Sequence, residues 1–150
     1  MKKRLGFCVL FFLALNAAAQ QTACTTIGTH LNELASADQQ VRQEWSLLEQ
    51  DPKTTASQKD ALQQRWRTID GKNLKHFKKI IAACGWPKTS KDSHSAWLLA
   101  QHADSDIAFQ CLAKELLEAS VKAGIAAPRV LAYLADRIAA NEGHTQEYGT

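Results

Sequence analysis

The sequence lacks any excess of charge once its first residues are set aside. Lys2, Lys3 and Arg4 account for the whole formal net charge of +3, and the other 15 Lys and Arg residues are balanced by 15 Asp and Glu residues. Proteins that hold nucleic acid through its phosphates depend on a basic surface. We therefore expect no nucleic-acid partner.

The sequence also lacks the motifs of the common catalytic sites. It has no Gly-x-Ser-x-Gly nucleophile elbow, no phosphate-binding glycine loop and no dinucleotide fingerprint. Its five histidines show none of the spacings from which zinc sites are built. We expect neither a metal nor a cofactor, so any catalysis would depend on ordinary side chains.

A targeting segment begins the chain. Cationic residues precede an apolar run over 5–15, and small residues follow at Ala17 and Ala19. This order is typical of a secretory signal peptide cleaved after Ala19, and the run is too short for a permanent membrane helix. We expect a periplasmic or secreted protein with no stable membrane span. Lipid attachment at Cys24 is a minor alternative, because Gln21 lies where lipoprotein signals carry an aliphatic residue.

No stretch alternates apolar and polar residues between turn signals, so no strand is predicted. Apolar residues recur instead at helical spacing in five segments. The sequence predicts an all-α fold, a single domain of about five helices after the cleaved signal peptide. Residues 1–19 form the signal peptide, 20–65 an N-terminal helical region, and 66–150 a helical core packed with the preceding helix as one domain.

Helix ends are predicted from capping residues. Ser57 is placed to cap the second helix, and Ser90 or Ser93 the third. Pro128 lies at the favoured first position of the fifth. Within the first segment Asp38 interrupts the apolar pattern, so this segment is either one long helix or two broken ones.

The cysteines form an odd set after signal cleavage. Cys8 leaves with the signal peptide, and Cys24, Cys84 and Cys111 remain. In an oxidising compartment one disulfide and one free thiol are expected. Cys84 with Cys111 is the pair to test first, since both lie inside the folded region, and three buried free thiols are the alternative.

The stretch "AWLLAQHADSD" places Gln101 and His102 directly after apolar residues that leave little room for a solvated face. Buried amides and imidazoles need hydrogen-bond partners. One interpretation is structural: Asp104 or Ser105 caps the fourth helix and His102 faces a carboxylate or a carbonyl. The other makes His102 a general base oriented by Asp104.

The fifth helix gathers Tyr133, Asp136 and Arg137 on or near one side, opposite its apolar stripe. A solvated face accounts for such a set, but these residues would also line a cleft, where Arg137 could hold an anionic group through paired donors. Trp86 lies between Gly85 and Pro87, so its backbone is fixed while its ring is free to project into a groove.

Several blocks together resemble a bacterial family catalogued only as a numbered domain of unknown function. They are "CGWP", "AWLLAQHAD", "VLAYLADRI" and "NEGHTQEYGT", and the resemblance covers roughly residues 66–150. The resemblance implies marked positions without implying a reaction. Its polar and aromatic positions include Asp70, Asn73, Trp86, Gln101, His102, Asp104, Tyr133, Asp136, Arg137, Gln146 and Tyr148.

These observations favour a small exported helical binding protein of the cell envelope, of the immunity or inhibitor kind. Its partner would be a protein or a small envelope ligand, bound in a polar groove. The groove would be lined by Trp86, Gln101, His102, Tyr133, Asp136 and Arg137. The alternative is a hydrolase with His102 as general base, Asp104 or Asp136 orienting it, and Arg137 stabilising negative charge. A purely structural envelope protein is the third possibility.

Overall fold

The computed structural model describes residues 24–150, so the predicted signal peptide, Cys8 and the cleavage position lie outside the described residues. Over that range the fold is all-α and contains no strand. The helices are α1 (Ile27–Gln50), α2 (Ala56–Cys84), α3 (Ser90–Gln101), α4 (Ile107–Lys122) and α5 (Pro128–Asn141). The predicted fold class is confirmed.

The first segment is one helix rather than two. Asp38, which seemed to interrupt its apolar pattern, is buried together with Leu31, Ala35 and Val41 on the inner face of α1. A buried carboxylate is tolerated in a helix when other groups satisfy its charge and hydrogen bonds. The polar residue in the apolar stripe therefore marks an internal contact, not a helix end.

Three of the predicted caps were wrong by a few residues. Thr55, not Ser57, caps α2, and its hydroxyl and the Gln58 side chain form a reciprocal capping box. Thr89, not Ser90 or Ser93, caps α3. Asp106 caps α4 by accepting a hydrogen bond from the Phe109 amide at 3.0 Å. The start of α5 at Pro128 is confirmed.

The core lies where α3, α4 and α5 meet the first half of α1 and the last half of α2. Phe77 of α2 is fully buried and makes edge-to-face contacts with Trp86 and Phe109. Such ring pairs stabilise a core beyond the area that they bury. The other core residues are apolar side chains from all five helices and the α3–α4 turn: Leu31, Ile81, Ala96, Leu99, Ala100, Ala103, Ala113, Leu117, Val130, Leu134 and Ile138.

A disulfide joins Cys24, just before α1, to Cys84 at the end of α2. Cys111 is a free, half-buried thiol. The predicted Cys84–Cys111 pair is therefore wrong, because the antiparallel packing of α1 on α2 brings Cys24 to Cys84 instead. The bond also occupies the sulfur that a lipid anchor on Cys24 would need.

A close contact with Asp92 requires glycine at position 28, in the first turn of α1. A Cβ atom at this position would lie 2.7 Å from both carboxylate oxygens of Asp92. That carboxylate is itself held by hydrogen bonds from Thr89 Oγ1 and Asn32 Nδ2. We expect Gly28→Ala to lower the free energy of unfolding by about 1–3 kcal/mol, the range for overpacking a filled site.

Gly71 provides the matched control for this prediction. It lies within α2, and a Cβ atom there would meet nothing within 4 Å. Gly71→Ala should raise the free energy of unfolding by about 0.5–1 kcal/mol, because alanine loses less backbone entropy in a helix. Urea denaturation of both variants tests the pair, and equal effects of the two substitutions would contradict the contact with Asp92.

Candidate functional site

His102 follows the last residue of α3 and directs its ring toward α1. Its Nδ1 atom lies 2.8 Å and 3.0 Å from the two carboxylate oxygens of Asp38, and only 1% of Asp38 is exposed. The predicted orienting groups were therefore wrong. Asp38 contacts the ring, whereas Asp104 and Asp136 are engaged with other residues.

His102 Nδ1 lies between an acceptor and a donor. The carboxylate of Asp38 accepts from Nδ1 when this nitrogen carries the proton, whereas Arg42 Nε, 2.9 Å away, donates to Nδ1 when it does not. With the proton on Nδ1, the nitrogen on the far side of the ring, Nε2, is available to accept a proton.

Arg42 connects this histidine to α2. Its Nη2 atom donates to Asp38 Oδ1 at 2.9 Å and to the carboxylate of Asp70 at 3.3 Å and 3.4 Å. Its guanidinium also lies over the ring of Trp66, 4.6 Å from the ring centre, in a cation–π contact. Arg42 is thus positioned by two carboxylates and an aromatic ring.

Asp38 and Asp70 differ in how well their neighbours offset the cost of burying a charged carboxylate. Burial would raise the pKa of Asp38, but hydrogen bonds and charge from His102 and Arg42 hold that pKa below its ordinary value. Burial raises the pKa of Asp70, and Arg42 does not fully offset it, because Asp38 adds a repulsive charge. Of these two carboxylates, Asp70 is the one whose charge the neighbouring groups compensate less well.

Arg137 and Asp104 form a second ion pair beside these residues. Arg137 Nε donates to Asp104 Oδ1 at 2.9 Å, and Nη2 donates to Oδ2 of the same carboxylate. Asn141 and the fully buried Gln110 also donate to Asp104 Oδ1. Asp104 therefore joins the α3–α4 turn to α5 and does not cap α4. Burial would raise its pKa, but these hydrogen bonds hold it below its ordinary value.

The two ion-pair groups are electrostatically coupled through Asp70. The hydrogen bonds and charge of Asp104 raise the pKa of Arg137, and the charge of Asp70 adds a smaller contribution; the charges of Arg42 and His102 in turn act on Asp70. We refer to the residues of these two ion-pair groups together as the end cluster. Its members are Asp38, Arg42, Asp70, His102, Asp104 and Arg137. His102 and Arg137, far apart in sequence, thus belong to one charged neighbourhood.

Gln101 and Tyr133 meet in the seam between α3 and α5. Gln101 Nε2 donates to the Tyr133 carbonyl at 3.3 Å, and the Tyr133 ring lies 6.1 Å from that of Trp97. Tyr133 is 44% exposed. Trp97 Nε1 and Gln101 Oε1 are buried, and neither has a partner within residues 24–150. The seam therefore retains one unused donor and one unused acceptor.

Asp136 does not face the end cluster. One of its oxygens accepts from the Glu147 and Tyr148 amides, and the other accepts from the Thr150 amide and hydroxyl, at 2.8–3.0 Å. Burial would raise the pKa of Asp136, but these hydrogen bonds hold it below its ordinary value. Gln146, which donates to the Thr150 carbonyl, and the exposed Tyr148 belong to the same tail.

We expect Asp136→Ala to free the tail without unfolding the helices, because the tail backbone at residues 147–150 loses its shared acceptor. Amide hydrogen exchange at Glu147, Tyr148 and Thr150 should become faster, while exchange in the α4 core stays unchanged. In the parent, the protection of these amides relative to an unstructured chain at the same pH should be present at pH 3.8 and be lost as pH falls through the folded pKa of Asp136, which lies below 3.8, since the protonated carboxyl loses acceptor strength. Unchanged exchange at these three amides would contradict the role of Asp136.

Trp86 and Asn73 have structural contacts. The Trp86 indole donates to Ser93 Oγ at 2.8 Å and packs on Phe77, so the prediction that its ring projects into a groove with His102 was wrong. Asn73 is buried and donates to the Leu34 carbonyl at 3.1 Å, which joins α2 to α1. Neither residue contacts the end cluster directly.

The sequence prediction missed Asp38 and Arg42. Both lie on α1, outside the stretch that resembles the numbered family. A signal was present, because Asp38 falls seven residues after Leu31 on the apolar face and Arg42 follows at the i+4 position, where an oppositely charged pair interacts. The identity of their partners on α2 and α3 could not be read from that spacing.

No metal site or membrane helix is found in the described part of the chain. No group of three or more His, Cys, Asp or Glu side chains between residues 24 and 150 is arranged to hold an ion. No helix in the same range is both long enough and apolar enough to cross a bilayer.

Comparison with protein-family models, with curated proteins and with solved structures finds no match for this chain. The resemblance of residues 66–150 to the numbered family therefore stays a prediction.

Proposed function

We propose that this protein is a small exported helical binding protein of the cell envelope, and that the end cluster is its binding surface. The observation that carries this proposal is the poorly compensated carboxylate of Asp70. It is partly exposed, its Oδ1 atom lies 3.3 Å from Arg42 Nη2, and burial raises its pKa. The targeting pattern at residues 1–19 supports export.

The charges of the end cluster favour a cationic group in the ligand or partner. Asp38, Asp70 and Asp104 provide three carboxylates, whereas Arg42 and Arg137 provide two guanidiniums. His102 is the only other ionisable member. An ammonium or guanidinium group placed against Asp70 would offset the cost of burying its charge, which Arg42 does not fully offset.

The proposal is tested by NMR titration with N-acetyl-arginine amide, with the uncharged N-acetyl-citrulline amide as the matched probe. We expect saturable shifts at the Trp66 indole and the His102 ring with the arginine probe alone. Asp70→Asn should weaken this binding at least tenfold, whereas Asp60→Asn, an exposed α2 control, should leave it unchanged. Equal shifts with citrulline, or undiminished binding by Asp70→Asn, would overturn the proposal.

A second candidate is supported by the contact between His102 and Asp38. A buried carboxylate on Nδ1 that leaves Nε2 free is the arrangement of a general base. On this reading the protein is a hydrolase, with Asp38 as the orienting residue and Arg137 stabilising negative charge. His102→Gln should reduce hydrolysis of p-nitrophenyl acetate at least tenfold. The exposed control His144→Gln should not, and equal rates for the two variants would reject this candidate.

A further inference from the structure

A separate cleft opens between the N-terminal halves of α3 and α5 and one side of α1. It has a volume of about 470 Å³. Its polar lining includes Asn32 of α1 and Ser90, Ser93 and Ser95 of α3. None of these residues belongs to the end cluster, so the cleft is a distinct feature of the molecule.

The lining of this cleft is cationic. Lys91 and His94 contribute from α3, Arg129 contributes from α5, and no Asp or Glu residue lines the cleft. Within residues 24–150 neither Lys91 nor Arg129 forms an ion pair. Two permanent positive charges therefore line one concave surface, and neither is paired with a carboxylate within residues 24–150.

The acidic residue next to Lys91 in sequence is already engaged. Asp92 accepts hydrogen bonds from Thr89 Oγ1 and from Nδ2 of Asn32, which itself lines the cleft. Arg129 lies in the first turn of α5, which has no acidic residue and no side-chain cap. A cation at the positive end of a helix is unfavourable unless an anion is nearby.

We propose that this cleft binds an oxyanion, a phosphate or carboxylate group of a small ligand. Arg129 supplies the planar fork of donors that matches an oxyanion, and Lys91 supplies a second positive charge in the same lining. His94 and the Ser90 hydroxyl, both exposed on α3, add further hydrogen-bonding groups. Oxyanion binding in this cleft is independent of the function proposed for the end cluster, because the cleft and the end cluster share no residues.

The test is isothermal titration of the protein with inorganic phosphate and with acetate, at an ionic strength held constant with sodium chloride. The double variant Lys91→Ala/Arg129→Ala removes both permanent charges. Its matched control is Lys53→Ala/Arg67→Ala, which makes the same change in charge at exposed positions elsewhere. Thermal melting of each variant checks that the fold is kept.

We expect saturable oxyanion binding by the parent, binding within twofold of it by the control, and at least tenfold weaker binding by the double variant. The oxyanion that binds more tightly identifies the group carried by the natural ligand. Absence of saturable binding by the parent, or the same affinity in all three proteins, would overturn the proposal.

Discussion

Reduction of the Cys24–Cys84 disulfide is expected to lower the free energy of unfolding by about 4 kcal/mol. The bond links residues separated by 60 positions, so breaking it restores much conformational entropy to the unfolded chain. It also ties the start of α1 to the end of α2. The double variant Cys24→Ser/Cys84→Ser should show the same loss in urea denaturation.

The third cysteine supplies the control. Cys111 is a free, half-buried thiol on α4, so Cys111→Ser should change stability by only about 1 kcal/mol. A reducing agent should weaken the parent but leave Cys24→Ser/Cys84→Ser unchanged. If the reducing agent lowered the stability of Cys111→Ser no more than that of the double variant, the disulfide would not stabilise the fold as described.

Asp38→Ala is expected to lower the free energy of unfolding by about 3 kcal/mol. The substitution removes a buried carboxylate and leaves Arg42 and His102 without their shared acceptor. Both partners are about one-fifth exposed, so we place the effect at the low end of the range for a broken buried ion pair. Glu49→Ala, on the exposed side of α1, should change stability by less than about 0.5 kcal/mol.

The difference in stability between the parent and Asp38→Ala depends on pH, and the direction of this dependence follows from the pKa of Asp38. Because the folded pKa of Asp38 lies below the ordinary value of 3.8, its contribution to stability is present above that pH and is lost as pH falls through the folded pKa. The parent should therefore approach the stability of Asp38→Ala below pH 3.8. A constant difference across this range, or an effect no larger than that of Glu49→Ala, would contradict the ion-pair account.

Local signals in the sequence predicted the helices well. Pro128 marks the start of α5, and the apolar spacing across Ser36 and Asp38 continues through an unbroken α1. These features depend on residues close together in the chain, where helix propensity and proline geometry act directly. The caps differ by one to four residues, because several Ser, Thr and Asp residues near each helix end are chemically able to accept the free amides.

Long-range partners could not be predicted in the same way. The set implied by the resemblance includes four members of the end cluster, Asp70, His102, Asp104 and Arg137. Other members of that set lie elsewhere, such as Trp86 on Ser93 and Asp136 with the C-terminal tail. Which aspartate faces His102 depends on the rotation of α1 against α3, and Cys24 finds Cys84 through the path of two long helices. Residue spacing encodes neither the rotation of α1 against α3 nor the path of the two long helices.

We propose that Asp70 serves binding at a cost to the stability of the fold. A carboxylate whose pKa is raised in the folded state destabilises that state once it is ionised, so an uncharged amide of the same size should relieve the cost. The most direct measurement is the free energy of unfolding of Asp70→Asn at pH 7 by urea denaturation. We predict a value equal to or higher than that of the parent. A loss of 1 kcal/mol or more would show that Asp70 holds the fold together, and would contradict the account.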